Sequence, residues 1–169
     1  TCDWSSDVCS SDLTDFAPAV RKRVAAGIGP ERARALGLAA IRETFEEAGL
    51  LVGAVAATPP RTKAEPWRRF FSHGVVPRLE SLDFVARAIT PPGSPRRFDA
   101  RFFMAGAEQI AHVLGTGEAS GELLKTGWLT LAEARAADII PITRCILDEI
   151  EARLADGGAL DRPAPFYLL

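Results

Sequence analysis

The stretch from residue 42 to residue 50, Arg-Glu-Thr-Phe-Glu-Glu-Ala-Gly-Leu, constrains the fold most, because it completes an amphipathic helical pattern. At about 100° per residue, the apolar side chains in and before it gather on one side of a helix. These side chains are Leu38, Ile41, Phe45 and Ala48. Pro30 suits the first helical position, where its missing N–H would be unpaired anyway, and Gly49 suits a left-handed cap. We predict a helix from Pro30 to Ala48.

The opposite face of this helix carries three carboxylates, those of Glu43, Glu46 and Glu47. Glu43 and Glu47 are four residues apart, so their like charges destabilise the helix unless a cation offsets them. Mg²⁺ takes oxygen ligands of this kind, usually alongside substrate phosphates. The alternative is the solvated face of an ordinary amphipathic helix. The three glutamates are therefore candidate ligands of Mg²⁺ or Mn²⁺.

The order of residues in this stretch resembles the second half of the Nudix box. The matching positions are Arg42, Glu43, Glu46, Glu47, Gly49 and Leu50. Thr44 stands where the family prefers an aliphatic residue. The first half of the box departs from the family, which would place Glu at the position of Arg34 and Gly at the position of Ile28. The chain thus resembles a Nudix hydrolase in the part of the motif that binds metal.

This resemblance implies a mixed α/β fold, a Nudix-type α/β/α sandwich around a mixed sheet. It also implies Mg²⁺- or Mn²⁺-dependent hydrolysis of a diphosphate bond in a nucleoside diphosphate linked to another group. Whichever of Glu43, Glu46 and Glu47 is not saturated by metal would act as general base. Arg42 would brace the helix toward Glu46 or pair with a carboxylate of the preceding loop, and either contact keeps the ligands oriented. Glu122, in a loop, is a further candidate base, and a plain loop glutamate is the alternative.

Two later segments extend the resemblance to about residues 35 to 155. Residues 84–103 look like the strand pair of a bacterial Nudix subgroup related to the peroxisomal coenzyme A diphosphatases, so a coenzyme A derivative is a candidate substrate. Residues 127–134 look like the strand-then-helix segment near the end of many Nudix domains. Arg96, Arg97 and Arg101 are candidates for phosphate binding, because guanidinium groups bind phosphate oxygens bidentately. A surface ion-pair cluster around Asp99 is the alternative.

The first residues of the chain differ from the rest. Residues 3–13 resemble a translated sequencing-library adapter, so we expect residues 1–13 to be a disordered artefact. Residues 14–169 would then form a Nudix domain that lacks the family's N-terminal strands. A catalytically silent or truncated Nudix-fold protein that only binds a nucleotide ligand is the alternative function. The feature that distinguishes an active hydrolase from the silent module is this missing N-terminal part.

Charge and cysteine content exclude several other classes of protein. Removing the three aspartates of residues 1–13 leaves 19 of the 22 acidic residues against 20 basic ones, so no electrostatic case for nucleic acid remains. Cys145 is then the one cysteine that remains. A single cysteine excludes a disulfide framework and suits the reducing cytoplasm. Its apolar helical surroundings predict a buried structural thiol. We find no membrane span or signal peptide in the sequence. A homodimer is possible on the sequence alone.

Periodicity and turn residues predict the remaining elements. Helices are expected over 17–26, 66–73, 131–137 and 142–154, and strands over 50–56, 83–89, 98–104 and 124–129. Trp67 is predicted to lie in the core. His73 and His112 are predicted to be structural residues, packed or exposed, because neither has a partner visible in the sequence.

Overall fold

The computed structural model describes residues 13–93, 96–114, 127–157 and 162–168. These residues form a mixed α/β structure of helices and small sheets. They divide into two compact units. The first unit contains the described residues up to Leu82 and those from Ala105 to Leu114, and the second contains Asp83–Met104 and the described residues from Gly127 onward.

Three α-helices belong to the first unit. They are α1 (Pro18–Val24), α2 (Pro30–Ala48) and α3 (Glu65–Ser72). Each begins with a proline in its first turn, where the missing N–H costs no hydrogen bond. Gly37 allows α2 to pack closely, because a Cβ at that position would overlap Phe16 and Leu79. Helix α2 therefore packs closely against Phe16 and Leu79 at this position.

Four short strands complete the first unit in two antiparallel pairs. The first pair joins β1 (Leu50–Val52) to β6 (Ile110–Val113), and the second joins β2 (Ala54–Val55) to β3 (Val75–Val76). Gly53 separates β1 from β2, and a Cβ there would overlap the carbonyl oxygen of Val76. Close approach of two backbones thus requires glycine at this point.

The core of the first unit is an aromatic cluster between α2 and α3. The rings of Phe45 and Phe70 meet edge to face with centroids 5.4 Å apart, and Trp67 stacks on Phe71 at 5.6 Å. All four side chains are buried. Aromatic pairs of this geometry stabilise by about 0.5–1.5 kcal/mol beyond their buried area. The predicted core position of Trp67 is confirmed.

The second unit is a three-stranded sheet covered by a helix. Its strand order is β5 (Asp99–Met104), β4 (Asp83–Ile89) and β7 (Phe166–Leu168), with β5 antiparallel and β7 parallel to β4. Helix α4 (Leu131–Ala136) precedes α5 (Pro141–Ala155). Ile142 and Ile146 of α5 pack with Val85 and Ala86 of β4 to form the core.

Most predicted helices and strands are confirmed, with a few corrections. The strand expected over 50–56 is interrupted at Gly53. Of the strand expected over 124–129, residues 124–126 lie outside the described residues and residues 127–129 are not in a strand. Cys145 packs against the core of the second unit but is half-buried, not buried, because it lies at the margin of the buried cluster and not within it. Among the described residues, no helix is long and apolar enough to cross a membrane.

The predicted artefact, residues 1–13, lies outside the described residues except for Leu13. Leu13 is buried, and its carbonyl oxygen accepts a hydrogen bond of 3.4 Å from Nη2 of Arg34. Nη1 of Arg34 donates to the carbonyl oxygen of Thr14 at 3.0 Å. Arg34 therefore ties α2 to the segment before α1.

Candidate metal and catalytic site

The end of α2 is fixed by its glycine cap. Gly49 has a left-handed conformation with φ of 69°, and its N–H donates to the carbonyl oxygen of Phe45 at 3.0 Å. The carbonyl oxygen of Gly49 accepts a hydrogen bond of 2.8 Å from Leu114. Leu50 then enters β1. The predicted cap is confirmed, and it places the last turns of α2 directly beside the β1–β6 pair.

Arg42 lies at the centre of the candidate site. Its side chain is buried, with 9% exposed, yet its guanidinium contacts Oε1 of Glu43 and Oε2 of Glu46. The expected pairing of Arg42 with Glu46, four residues later, is therefore present. Charge-assisted contacts of this kind are about twice as strong as neutral hydrogen bonds. Arg42 thus restricts the rotamers of both glutamates.

The three glutamates differ in their access to solvent. The side chain of Glu43 is 50% exposed and that of Glu46 is 21% exposed, while Glu47 is half-buried. A hydrated ion or a soluble substrate can reach carboxylates at this depth without crossing the core. Partial burial also reduces the screening by water, which strengthens an electrostatic contact.

The carboxylates fit a hard divalent cation by chemistry, since every candidate donor is an oxygen. The positions of these carboxylates support a metal site less well than their chemistry does. In the described part of the chain, no group of three or more His, Cys, Asp or Glu side chains is close enough to hold a metal ion. Arg42 contacts one oxygen of Glu43 and one of Glu46. An ion at this face would therefore share these two carboxylates with the guanidinium.

Helix α3 supports the site from the side opposite the carboxylates. Phe45, between the glutamates in sequence, contacts Phe70 and also meets the His73 ring edge to face at 5.8 Å. The guanidinium carbon of Arg69 lies 5.7 Å from the centroid of the Phe45 ring. These contacts fix the rotation of α2 about its axis, which decides the direction of the carboxylates.

The three predicted phosphate-binding arginines belong to the second unit, whereas the glutamates belong to the first. Arg96 is exposed. Nε of Arg97 donates to the carbonyl oxygen of Thr90 at 3.4 Å. Nη1 of Arg101 lies 3.2 Å from Oδ1 of Asp99, and the Arg101 side chain is only 4% exposed. At Arg101 the structure favours the ion-pair alternative over a phosphate contact.

Sequence reasoning missed the stronger partner of Asp99. Arg87 donates from Nε and Nη2 to the two carboxylate oxygens at 2.7 and 2.8 Å, a bidentate fork across the β4–β5 pair. This hydrogen bonding, reinforced by the charges of Arg101 and Arg87, holds the pKa of Asp99 below its ordinary value. Arg87 could have been found from the strand pairing, because it lies two residues from the end of β4 and diagonally opposite Asp99 in the pair.

Two further features of the site concern loops. Glu122, the additional candidate base, lies outside the described residues. A hollow of about 550 Å³ lies between residues 57–62 and α3 of the first unit. Its lining includes two guanidinium groups, those of Arg61 and Arg68, beside the apolar Pro60 and Phe71. Arg68 also pairs with Glu65. This hollow has the size of small-molecule sites.

Comparison with protein-family models, with curated proteins and with solved structures finds no match for this chain. What the described residues define is therefore a class of structure only: a mixed α/β protein with an acidic helix end braced by a buried arginine.

Proposed function

We propose that this protein is a Nudix-type hydrolase, built on the α/β/α sandwich of that family. Its reaction would be the Mg²⁺- or Mn²⁺-dependent cleavage of a diphosphate bond in a nucleoside diphosphate linked to another group, with a coenzyme A derivative among the candidates. The observation that carries the proposal is the pairing of buried Arg42 with Glu43 and Glu46 at the capped end of α2. A reducing compartment such as the cytoplasm and a homodimer remain predictions.

The charge of the substrate sets the chemical problem. The oxygens of a diphosphate are negatively charged and repel an incoming nucleophile. A divalent ion held by Glu43, Glu46 and Glu47 would neutralise these oxygens and lower the pKa of the attacking water. The partial exposure of Glu43 and Glu46 leaves this face open to such a substrate.

The chain's own residues would orient the metal ligands and deprotonate the attacking water. Arg42 would act as a positioning residue, because it holds Glu43 and Glu46 in fixed rotamers without facing the solvent. A carboxylate oxygen that is not engaged by the ion would accept the proton of the attacking water as general base. The aromatic contacts of Phe45 would keep these groups in place during turnover.

The hollow beside α3 is open to solvent and has a wall of mixed character. Arg61 supplies positive charge on this wall, Arg68 is paired with Glu65, and Phe71 supplies an apolar surface. A nucleoside diphosphate derivative offers both an anionic and an aromatic part for such a lining. Of the three arginines of the second unit, Arg96 and Arg97 are retained as candidate phosphate ligands, whereas the side chain of Arg101 is buried and ion-paired with Asp99.

A second function, a catalytically silent module that binds a nucleotide ligand, is favoured by one observation. Arg42 already compensates the charge of Glu43 and Glu46, which is the role that a metal ion would have in an enzyme. If this pairing is permanent, the acidic face would not recruit an ion strongly enough for turnover.

Hydrolysis assays with Mg²⁺ separate the two functions. ADP-ribose and coenzyme A serve as probes, and release of the monophosphate product is measured for the wild type and Glu46→Gln. Glu31→Gln is the matched control, because Glu31 is an exposed glutamate in the first turn of the same helix. We expect Mg²⁺-dependent turnover in the wild type and the control, and a loss of at least about 100-fold in Glu46→Gln.

The outcomes lead to different conclusions. Turnover that survives Glu46→Gln undiminished would remove the metal-site assignment. Binding of ADP-ribose without Mg²⁺-dependent product, measured by calorimetry on the wild type, would instead identify the silent module.

A further inference from the structure

The two histidines of the chain meet on the surface of the first unit, although 38 residues separate them in sequence. The ring centroids of His73 and His112 are 6.1 Å apart, with 28° between the ring planes. Both residues are exposed. The sequence alone predicts that both are structural residues. Their proximity would allow them to bind one ligand together, which neither could do by itself.

The two rings project from separate, well-anchored elements. His73 follows α3, and its N–H donates to the carbonyl oxygen of Phe70 at 3.3 Å. His112 lies in β6, directly opposite Leu51 of β1. Phe45 supports the His73 ring edge to face. The backbones that carry the two imidazoles are thus fixed by a helix end and a strand pair, so the pair is held together before any ligand arrives.

The spacing suits a shared ion. Two imidazoles that bind one ion through bonds of about 2.0–2.1 Å have ring centroids roughly 5 to 6.5 Å apart. The observed 6.1 Å lies within that range. The rings are near-parallel, and because both side chains are exposed, rotation about their Cβ–Cγ bonds can turn one nitrogen of each toward a common ion. Imidazole nitrogen is a preferred ligand of Zn²⁺, Cu²⁺ and Ni²⁺, whereas Mg²⁺ prefers oxygen.

We propose that His73 and His112 form a second metal site, specific for divalent transition-metal ions and separate from the carboxylates of α2. Water completes the coordination, because the described residues place no third His, Cys, Asp or Glu side chain within reach of the pair. The site does not depend on the proposed hydrolase activity.

Titration of the full chain with Zn²⁺ by calorimetry tests this site. The variants are His73→Gln and His112→Gln, which keep a polar side chain but remove the imidazole. Glu31→Gln is the control, because Glu31 is exposed in the first turn of α2 and belongs to neither proposed site. We expect a Zn²⁺ site in the wild type whose affinity falls by about tenfold or more in either histidine variant and is unchanged in Glu31→Gln. Zn²⁺ binding that is unchanged in both histidine variants would overturn the proposal.

A measurement on the wild type covers the case in which a variant fails to fold. Substoichiometric Cu²⁺, added to ¹⁵N-labelled protein, should broaden the ring resonances of both histidines together. Broadening of neither ring, or of only one, would overturn the shared site. Since neither experiment measures hydrolysis, loss of the proposed enzymatic function and loss of this site remain distinguishable.

Discussion

Nη1 of Arg153 lies 3.2 Å from Oδ2 of Asp83, and this contact joins the end of α5 to the start of β4 across 70 residues of sequence. The Arg153 side chain is fully buried and that of Asp83 is 4% exposed. Nη2 of Arg153 also donates to the carbonyl oxygens of Val85 and Pro163 at 3.2 and 3.1 Å. A single guanidinium therefore connects the helix, the central strand and the segment that leads into β7.

Removing Arg153 should destabilise the second unit strongly. Arg153→Met removes the guanidinium that pairs with the buried carboxylate of Asp83, and breaking a buried ion pair from one side costs about 3–5 kcal/mol. Urea unfolding followed by circular dichroism measures the change. Arg144→Met is the control, because Arg144 is exposed on the same helix, and it should cost no more than about 1 kcal/mol. Equal unfolding midpoints for the two variants would contradict the role of Arg153.

Alanine at position 49 should destabilise the end of α2 for two reasons. The left-handed conformation, with φ of 69°, disfavours a side chain, and a new Cβ would lie 3.3 Å from Cβ of Leu114. We expect Gly49→Ala to cost about 1–3 kcal/mol of unfolding free energy.

A second glycine allows the two causes, backbone strain and the contact with Leu114, to be measured separately. Gly74 has nearly the same conformation, with φ of 70°, but a Cβ there meets nothing within 4 Å. Gly74→Ala should therefore cost about 1–2 kcal/mol from backbone strain alone. Thermal unfolding of both variants gives the difference. A larger loss in Gly74→Ala than in Gly49→Ala would contradict the contact with Leu114.

Arg42→Lys tests the positioning role within the proposed enzyme. Lysine keeps the charge but loses the planar fork that reaches Glu43 and Glu46 together. We expect kcat for Mg²⁺-dependent hydrolysis to fall by about 10–100-fold with KM nearly unchanged, because orienting partners of metal ligands have effects of that size. Steady-state kinetics on ADP-ribose give both constants. A rise in KM at constant kcat would instead indicate that Arg42 contacts the substrate.

Acid should weaken the β4–β5 pair. The Arg87 fork lowers the pKa of Asp99 in the folded state, so the carboxylate stabilises the fold above its unfolded pKa of about 3.9. That stabilisation is lost as the pH falls through the lower folded pKa. Because the Asp99 side chain is 41% exposed, the contribution is at most about 1 kcal/mol.

Asp99→Asn isolates this contribution. The variant should be slightly less stable than the wild type at pH 7, and the difference should shrink as the pH falls through the lowered folded pKa of Asp99. Urea midpoints measured from pH 7 into the acid range provide the measurement. A difference that does not change with pH would indicate a packing effect instead of a titrating carboxylate.

The helix that carries the candidate site could be predicted from the sequence, with its bounds at Pro30 and Ala48. Its signals are local: apolar spacing, a proline in the first turn and a glycine after the last one. Strand β4 was likewise predicted at Asp83–Ile89. Strands β3 and β6 were not predicted, because they are only two and four residues long and carry no measurable periodicity.

The sequence by itself determined where α2 begins and ends and which carboxylates share its face, because these properties depend on residues within a few turns of each other. Only the tertiary structure decided that Arg42 is buried against Glu43 and Glu46, that His73 meets His112, and that Arg153 reaches Asp83. The last two contacts join residues far apart in the chain, and the burial of Arg42 depends on what packs around α2. Long-range pairing and burial are set by packing of the whole unit, which a local pattern does not encode.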